Sequence, residues 1–281
     1  MPRPTKILVQ TTIPYTEDDW HVGRFSRLTQ HLASLPGVEV TARNREAAPG
    51  ETDPVLGSLD TSDFDQIWLF AVDVGDGLNA EECAAIGRFR QEGGGMLVTR
   101  DHMDLGSSVC TLGGVGEAHY FHSKHLDPDE SRHARDDVET TYIDWPNYHS
   151  GANGDFQTIA VLGERHPVLD GVSRLPSHPH EGAVGAPAND PSAHVIATGV
   201  SQTTGRDFNI AVAFEPGPDG GPAIAQSTFH HFADFNLDPS LGRPTFVTEQ
   251  PGDGFAREPA ALAEAFRYYE NLVGWLGRRA T

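Results

Sequence analysis

Cysteine is nearly absent: Cys83 and Cys110 are the only two in 281 residues. Two thiols cannot staple a secreted scaffold, so a reducing compartment, the cytoplasm, is the expected location. Long apolar runs are missing too, none reaching the roughly 18 residues a membrane-spanning helix needs. The opening MPRPTKILVQTTIP lacks the apolar stretch and small-residue cleavage site of a signal peptide. Basic residues are scarce, 20 against 40 acidic ones, for a net charge of −20. Such a surface repels phosphate backbones and anionic lipids, which excludes nucleic acid and membrane surfaces as partners. No GxGxxG follows a strand, no GxxxxGK[ST] occurs, and no serine stands in GxSxG. A nucleotide cofactor and a strand-turn serine nucleophile are therefore not expected.

What is present is alternation. Apolar runs at 6–10, 38–42, 66–72 and 96–99 read as strands buried on both faces. Between them, His21, Phe25, Leu28, Leu32 and Leu35 recur at helical spacing after a capping-box pattern at Thr16 and Asp19. Asn79 with Glu82 caps a second helix, ended by Gly93-Gly94-Gly95. Strand–helix alternation predicts an α/β fold with a doubly wound, mostly parallel sheet. The period fades over 100–155, a stretch rich in glycine, histidine, aspartate and aromatics, as active-site loops are. Strand-like runs return at 156–162, 195–198, 208–214 and 223–229. A last helix over 259–276 would bury Leu262, Phe266, Tyr269, Val273 and Leu276. No composition break divides the chain, so one domain over 1–281 is expected. The last helix and the loop 236–258 would cover the sheet or pack a second copy of the chain as a homo-oligomer.

Ligands of open parallel sheets bind at the strand C-termini. That rule selects Thr11 and Thr12 after the first strand, Asp73 after the third, Arg100, Asp101 and His102 after the fourth, and His230, His231 and Asp234 after the last. Histidine is the abundant residue. Of 14, twelve fall from His102 to His231, with short spacings at His119-x-x-His122, His178-x-His180-Glu181 and His230-His231. Such pairs reach one ion together, as zinc, iron or manganese sites require, although none forms an HExxH signature. Each histidine alone reads as readily as a surface or core side chain, and Asp101 as a helix cap. Cys83 sits on the apolar side of its helix, and Cys110 lies too far beyond the fourth strand for a turn nucleophile. Tyr120, Phe121, Trp145 and Tyr148 would line a pocket or pack the loops, and His149, Asn153 and Asp155 share a nearby turn.

Several short motifs resemble the trehalose-utilisation (ThuA-like) proteins of the class I glutamine-amidotransferase-like superfamily. They are the glycines before strand four, the Asp101-His102 turn, Gly113-Gly114 followed by His119, His166-Pro167 with Gly171, Glu181 shortly after, and a late strand ending at His230. The resemblance implies a flavodoxin-like three-layer sandwich and a carbohydrate-related substrate. It also places a catalytic cysteine of the amidotransferases where this chain has Asp101 and His102, so thiol-dependent glutamine hydrolysis is not expected.

The expected function is a metal-assisted enzyme, a hydrolase, lyase or isomerase, acting on a small polar substrate. His102, His119 and His230 would hold a divalent transition metal with His122, His149, His180 or His231. Asp101 or Glu181 would move a proton. The alternatives are metal-free acid–base catalysis by Asp101, His102, Glu181 and His230, and a ligand-binding module without chemistry.

Overall fold

The alternating apolar runs do form one sheet. In a computed structural model, which describes residues 3–48, 50–133, 136, 140 and 142–277, eight strands run as follows: β1 Thr5–Thr11, β2 Val38–Arg43, β3 Gln66–Phe70, β4 Gly95–Thr99, β5 Ala160–Val161, β6 Ala193–Val200, β7 Asp207–Phe214 and β8 Ala223–Gln226. Their order is β2-β1-β3-β4-β8-β7-β6-β5. The first five in that order are mutually parallel, and the last three continue antiparallel. The architecture is an α/β sandwich with a mostly parallel sheet.

Strand side chains alternate between faces, and both faces are buried here. Ile7, Val9, Trp68, Phe70 and Leu97 pack with α1 (Ser26–Ser34) and α3 (Pro259–Trp275), whereas Leu8, Ile67, Leu69, Met96 and Val98 pack with α2 (Ala80–Gln91). Cys83 and Ile86 lie on the buried side of α2. The capping box of α2 forms, Asn79 accepting from the Glu81 and Glu82 amides while Glu82 accepts from Asn79. Gly93 leaves that helix in the left-handed region at φ +86. Gly95 is required by close approach, because a Cβ there would lie 1.9 Å from the Leu276 carbonyl oxygen.

Three elements differ from the sequence reading. The first helix does not start at Thr16; a 3-10 turn spans Val22–Phe25 and α1 follows from Ser26. Its free amides are capped from far away, the Asp234 carboxylate accepting from Ser26 N at 3.0 Å and Arg27 N at 2.8 Å. Asp234 is thus a helix cap, with its oxygens turned to α1. The run 156–162 is broken in two, Phe156–Thr158 pairing with Arg174–Pro176 in a small separate sheet and only β5 joining the large one. α3 buries Tyr269, and Leu276 just beyond it, as expected, but Ala261, Ala265, Tyr268 and Leu272 take the buried places of Leu262, Phe266 and Val273, and both tyrosine hydroxyls find buried partners, at Gln226 and the His231 carbonyl. No helix among the described residues is long and apolar enough to cross a membrane.

Candidate functional site

Adjacent strands β4 and β8 end at the same edge of the sheet, and the chain after each turns inward. Phe229 N donates to the Arg100 carbonyl at 2.8 Å, which ties the two strand ends together. A third segment, 177–182, lies across them. It is held between the small sheet at Arg174–Pro176 and the pairing of Ala183–Val184 with His119–Tyr120. The three segments bring Asp101 and His102, His230, and His178 and His180 to one cavity of about 350 Å³. Trp20, Met103, Leu105, Ile143, Phe246 and Val247 form its apolar wall, and Glu249 closes the polar side. Met103 holds φ +47, a strained value for a side-chain-bearing residue, next to His102.

Asp101 is the centre of the polar floor. Its Oδ1 accepts from Thr228 Oγ1 at 2.9 Å, and its Oδ2 lies 2.9 Å from His102 Nδ1. The Nε2 atoms of His178 and His230 lie 3.4 and 3.7 Å from the same carboxylate. The rings of His178 and His230 stack with centroids 3.5 Å apart, and Trp20 meets His230 edge-on.

The amides behind these rings determine which nitrogen carries the proton. Asn236 Nδ2 faces the Ser177 carbonyl at 3.0 Å, an atom that only accepts, so its Oδ1 is the atom 2.8 Å from His230 Nδ1. The same Nδ2 donates to Asn153 Oδ1, which in turn lies 2.8 Å from His178 Nδ1. Asn147 Nδ2 points to the Ile143 carbonyl, and Asn147 Oδ1 lies 3.0 Å from His180 Nδ1. In all three imidazoles Nδ1 is therefore a donor, and where the ring is neutral Nε2 keeps its lone pair. Burial drives the His178 pKa down to about 4 and that of His230 well below 6.5, so both rings are neutral at pH 7. With His178 and His230 neutral, their Nε2 lone pairs thus face the Asp101 carboxyl group, and His178 Nε2 is buried without a hydrogen-bond partner.

The remaining sequence candidates lie elsewhere. Glu181 and His231 form a buried network behind the cavity. Glu181 accepts from Ser150, Gln157 and Ser227, and His231 Nε2 donates to it at 3.3 Å, the opposite tautomer to the cavity histidines. His119 is fully buried in the small pairing with Ala183–Val184, outside the cavity. His122 is exposed and bonded to the Trp145 carbonyl, and His149 is bonded to the Pro179 carbonyl. Asp73 is consumed by Thr12, Ser108 and Gly75, and the buried Arg100 donates to the carbonyls of Tyr120 and Met103. Asp155 caps Gly254. The side chain of Cys110 lies outside the described ones. Sequence reasoning did not select His178, although His178-x-His180 flagged it, nor Asn147, Asn236 or Glu249, which carry no short-range signal.

Two groups of donors among the described residues are compact enough for an ion: Asp101, His102 and His178, and His166, His194 and Glu215, each within 4.8 Å. The second is built for a different purpose. His166 Nδ1 accepts from Val168 N at 3.3 Å, so its proton sits on Nε2, 3.2 Å from Glu215. That histidine caps a turn and leans on an acid, and it has no lone pair to give.

No family model and no curated protein matches the chain. Among solved structures, a cytoplasmic protein of Salmonella typhimurium LT2 is similar with TM-score 0.53 and 10% identity, covering 98% of this chain and 100% of that one. The glutaminase domain of Trypanosoma brucei CTPS, with bound acivicin, is similar with TM-score 0.50 and 13% identity, covering 96% and 94%. The likeness is one of fold, an α/β sandwich. A ThuA-like protein from Parabacteroides merdae is also found, at TM-score 0.44 and 14% identity, covering 89% and 96%. At such identities the likeness concerns the fold, and function has to be argued from the site.

Proposed function

We propose that the cavity holds a divalent transition metal, zinc, iron or manganese, on Asp101, His178 and His230, and that the protein is a metal-assisted enzyme for a small polar substrate. The reading is carried by the imidazoles of His178 and His230, whose Nδ1–H groups are engaged by asparagine carbonyls. Metal-ligating histidines are oriented in this way by a partner on the other ring nitrogen. The spacing agrees with it. Two ligands about 2.1 Å from one tetrahedral ion lie about 3.4 Å apart, the separation of His178 Nε2 and Asp101 Oδ1 here. A bound ion of this kind polarises a carbonyl or acidifies a water molecule. His102, whose Nδ1 is held by Asp101, keeps Nε2 to take or give a proton. The apolar wall excludes bulk water and strengthens every charge interaction at the floor.

Hydrolysis, elimination and isomerisation all fit this apparatus. The short motifs around His119, His166 and Glu181 favour a ThuA-like protein with a carbohydrate-derived substrate, and Trp20, Tyr142 and Phe246 offer ring faces to one. A cytoplasmic setting stays part of the reading, on the scarcity of cysteine. Elemental analysis of untagged protein tests it. Stoichiometric zinc, iron or manganese, lost in folded His178→Ala and His230→Ala, is the expected result; protein that carries none and takes up none overturns it. A second reading rests on the 2.9 Å Asp101–His102 contact, which suits metal-free acid–base catalysis. Activity that survives exhaustive chelation would select it.

A further inference from the structure

Two aromatic side chains stand in solvent at the mouth of the cavity. Tyr142 is 75% exposed and Phe246 56% exposed, although both line it. Each occupies the third position of a closed turn: Ile143 N donates to the Thr140 carbonyl at 2.9 Å, and Val247 N to the Pro244 carbonyl at 3.1 Å. The turns are tied down. Asp18 accepts from Thr245 N at 2.7 Å and Arg243 donates to the Glu249 carbonyl at 2.7 Å, while the Ile143 carbonyl accepts from Asn147, the amide behind His180. The next residue of each turn, Ile143 or Val247, joins the apolar wall with Trp20 and Leu105. Anchored backbone therefore places both rings at the cavity, and their exposure leaves apolar area for a ligand to cover.

The polar groups of the cavity give a charged ligand little to pair with. None of its described lining residues is lysine or arginine, and the chain carries a net charge of −20. A carboxylate or phosphate lying against the wall would be buried without a partner. Both carboxylates of the cavity are engaged within the protein, Asp101 by Thr228 and His102, and Glu249 by His180 at 3.3 Å, so an organic cation meets no free one. What the cavity offers is polar atoms at the floor and apolar area from Trp20 out to Tyr142 and Phe246.

We infer that the substrate is uncharged and has two unlike ends: polar atoms at the end that meets the floor, and a ring-sized apolar group at the other, seated against Trp20, Ile143 and Val247 and covered at the mouth by Tyr142 and Phe246. This rests on the metal reading above only for what the polar end meets. An apolar group in this position displaces water from the mouth, so charge interactions at the floor act in a drier cavity. It also fixes which end of the substrate faces Asp101 and His102, since the reverse orientation buries polar atoms against a wall that gives them no partner.

Benzamide, acetamide and benzoate test this on full-length protein freed of metal by chelation, so that the carboxylate of benzoate is not drawn to an ion. Dissociation constants are read by ligand-observed NMR. Benzamide is expected to bind about tenfold or more tighter than acetamide, which lacks the ring, and tighter than benzoate, which has the ring and a charge. Tyr142→Ala and Phe246→Ala, both at exposed positions, each weaken benzamide by about 2- to 12-fold. Leu241, 51% exposed in a separate groove, is the control, and Leu241→Ala leaves the affinity unchanged. No binding of benzamide, acetamide bound as tightly, or an affinity unmoved in both aromatic variants overturns the apolar seat. So does an equal loss in Leu241→Ala, since the ring would then be held by exposed apolar surface in general. Benzoate bound as tightly as benzamide overturns the uncharged class. The metal content of the protein as isolated reports on the ion separately: protein without metal that still prefers benzamide overturns the ion and leaves the substrate class standing.

Discussion

Replacing Asn236 by leucine separates the orientation of the ligands from the ligands themselves. The amide makes three buried contacts: from Nδ2 to the Ser177 carbonyl at 3.0 Å and Asn153 Oδ1 at 2.8 Å, and from Oδ1 to His230 Nδ1 at 2.8 Å. Leucine has nearly the same shape and none of the polarity. His230 Nδ1–H and the Ser177 carbonyl lose this partner inside a site with no exposed surface at Asn236. Each unsatisfied buried group costs about 1–3 kcal/mol, so a loss of about 2–6 kcal/mol in unfolding free energy is expected. The effect on metal is the more specific one. Without the amide, the His230 ring is free to shift its proton to Nε2 and to turn, and removal of such an orienting group lowers metal affinity by about 10- to 100-fold. Zinc competition with a chromophoric chelator measures the affinity, and urea unfolding of the stripped protein measures the stability. An Asn236→Leu protein that folds and binds zinc as tightly as the native chain would refute the tautomer assignment, and with it the main support for the metal centre.

Other outcomes follow from the same contacts. Glu181→Gln breaks a buried pair with His231 behind the cavity, and should cost about 3–5 kcal/mol of stability while leaving zinc stoichiometry unchanged; a lost equivalent would place Glu181 among the ligands. Asp234→Ala removes the carboxylate that caps Ser26 and Arg27 at the start of α1, for a loss of about 1–2 kcal/mol seen as a lower melting temperature with metal affinity intact. In the stripped protein, His178 has its folded pKa at about 4, below the usual 6.5, so the unfolded chain takes up the proton first. Its contribution is fully present above about pH 6.5 and falls by about 3 kcal/mol as pH drops towards 4. His230, lowered by burial in the same direction, adds to it. Urea midpoints between pH 7.5 and 4.5 read this directly, and a fall of the same size in His178→Gln would remove His178 as the source.

Local regularities were legible from the residues alone. Apolar runs on both sides of short helices implied a sheet covered on two faces, because only an interior strand can present Ile7 and Leu8 to opposite cores. The Asn79–Glu82 cap and the glycines before β4 were equally plain, since capping and left-handed backbone are decided within a few residues. Asp101, His102 and His230 could be picked out from one rule, that parallel strands expose their C-terminal ends on one edge. The order of the sheet decided the rest. By placing β8 beside β4 it made neighbours of residues more than a hundred positions apart, and by laying 177–182 across them it brought His178 and His180 inward while sending Glu181 to the buried side. Asn147 and Asn236 have no spacing that marks them, and Asn153 was marked only by its turn, because an orienting amide is defined by what lies at each of its two ends. Asp234 shows the same limit: as a sequence it reads as a strand-end acid, and in three dimensions it caps a helix that begins 208 positions earlier. Composition and periodicity settle which segments are buried and how they fold locally. Which nitrogen of a histidine bears its proton is settled only by tertiary contacts, and in this cavity that choice is what separates a set of ligands from a set of packed rings.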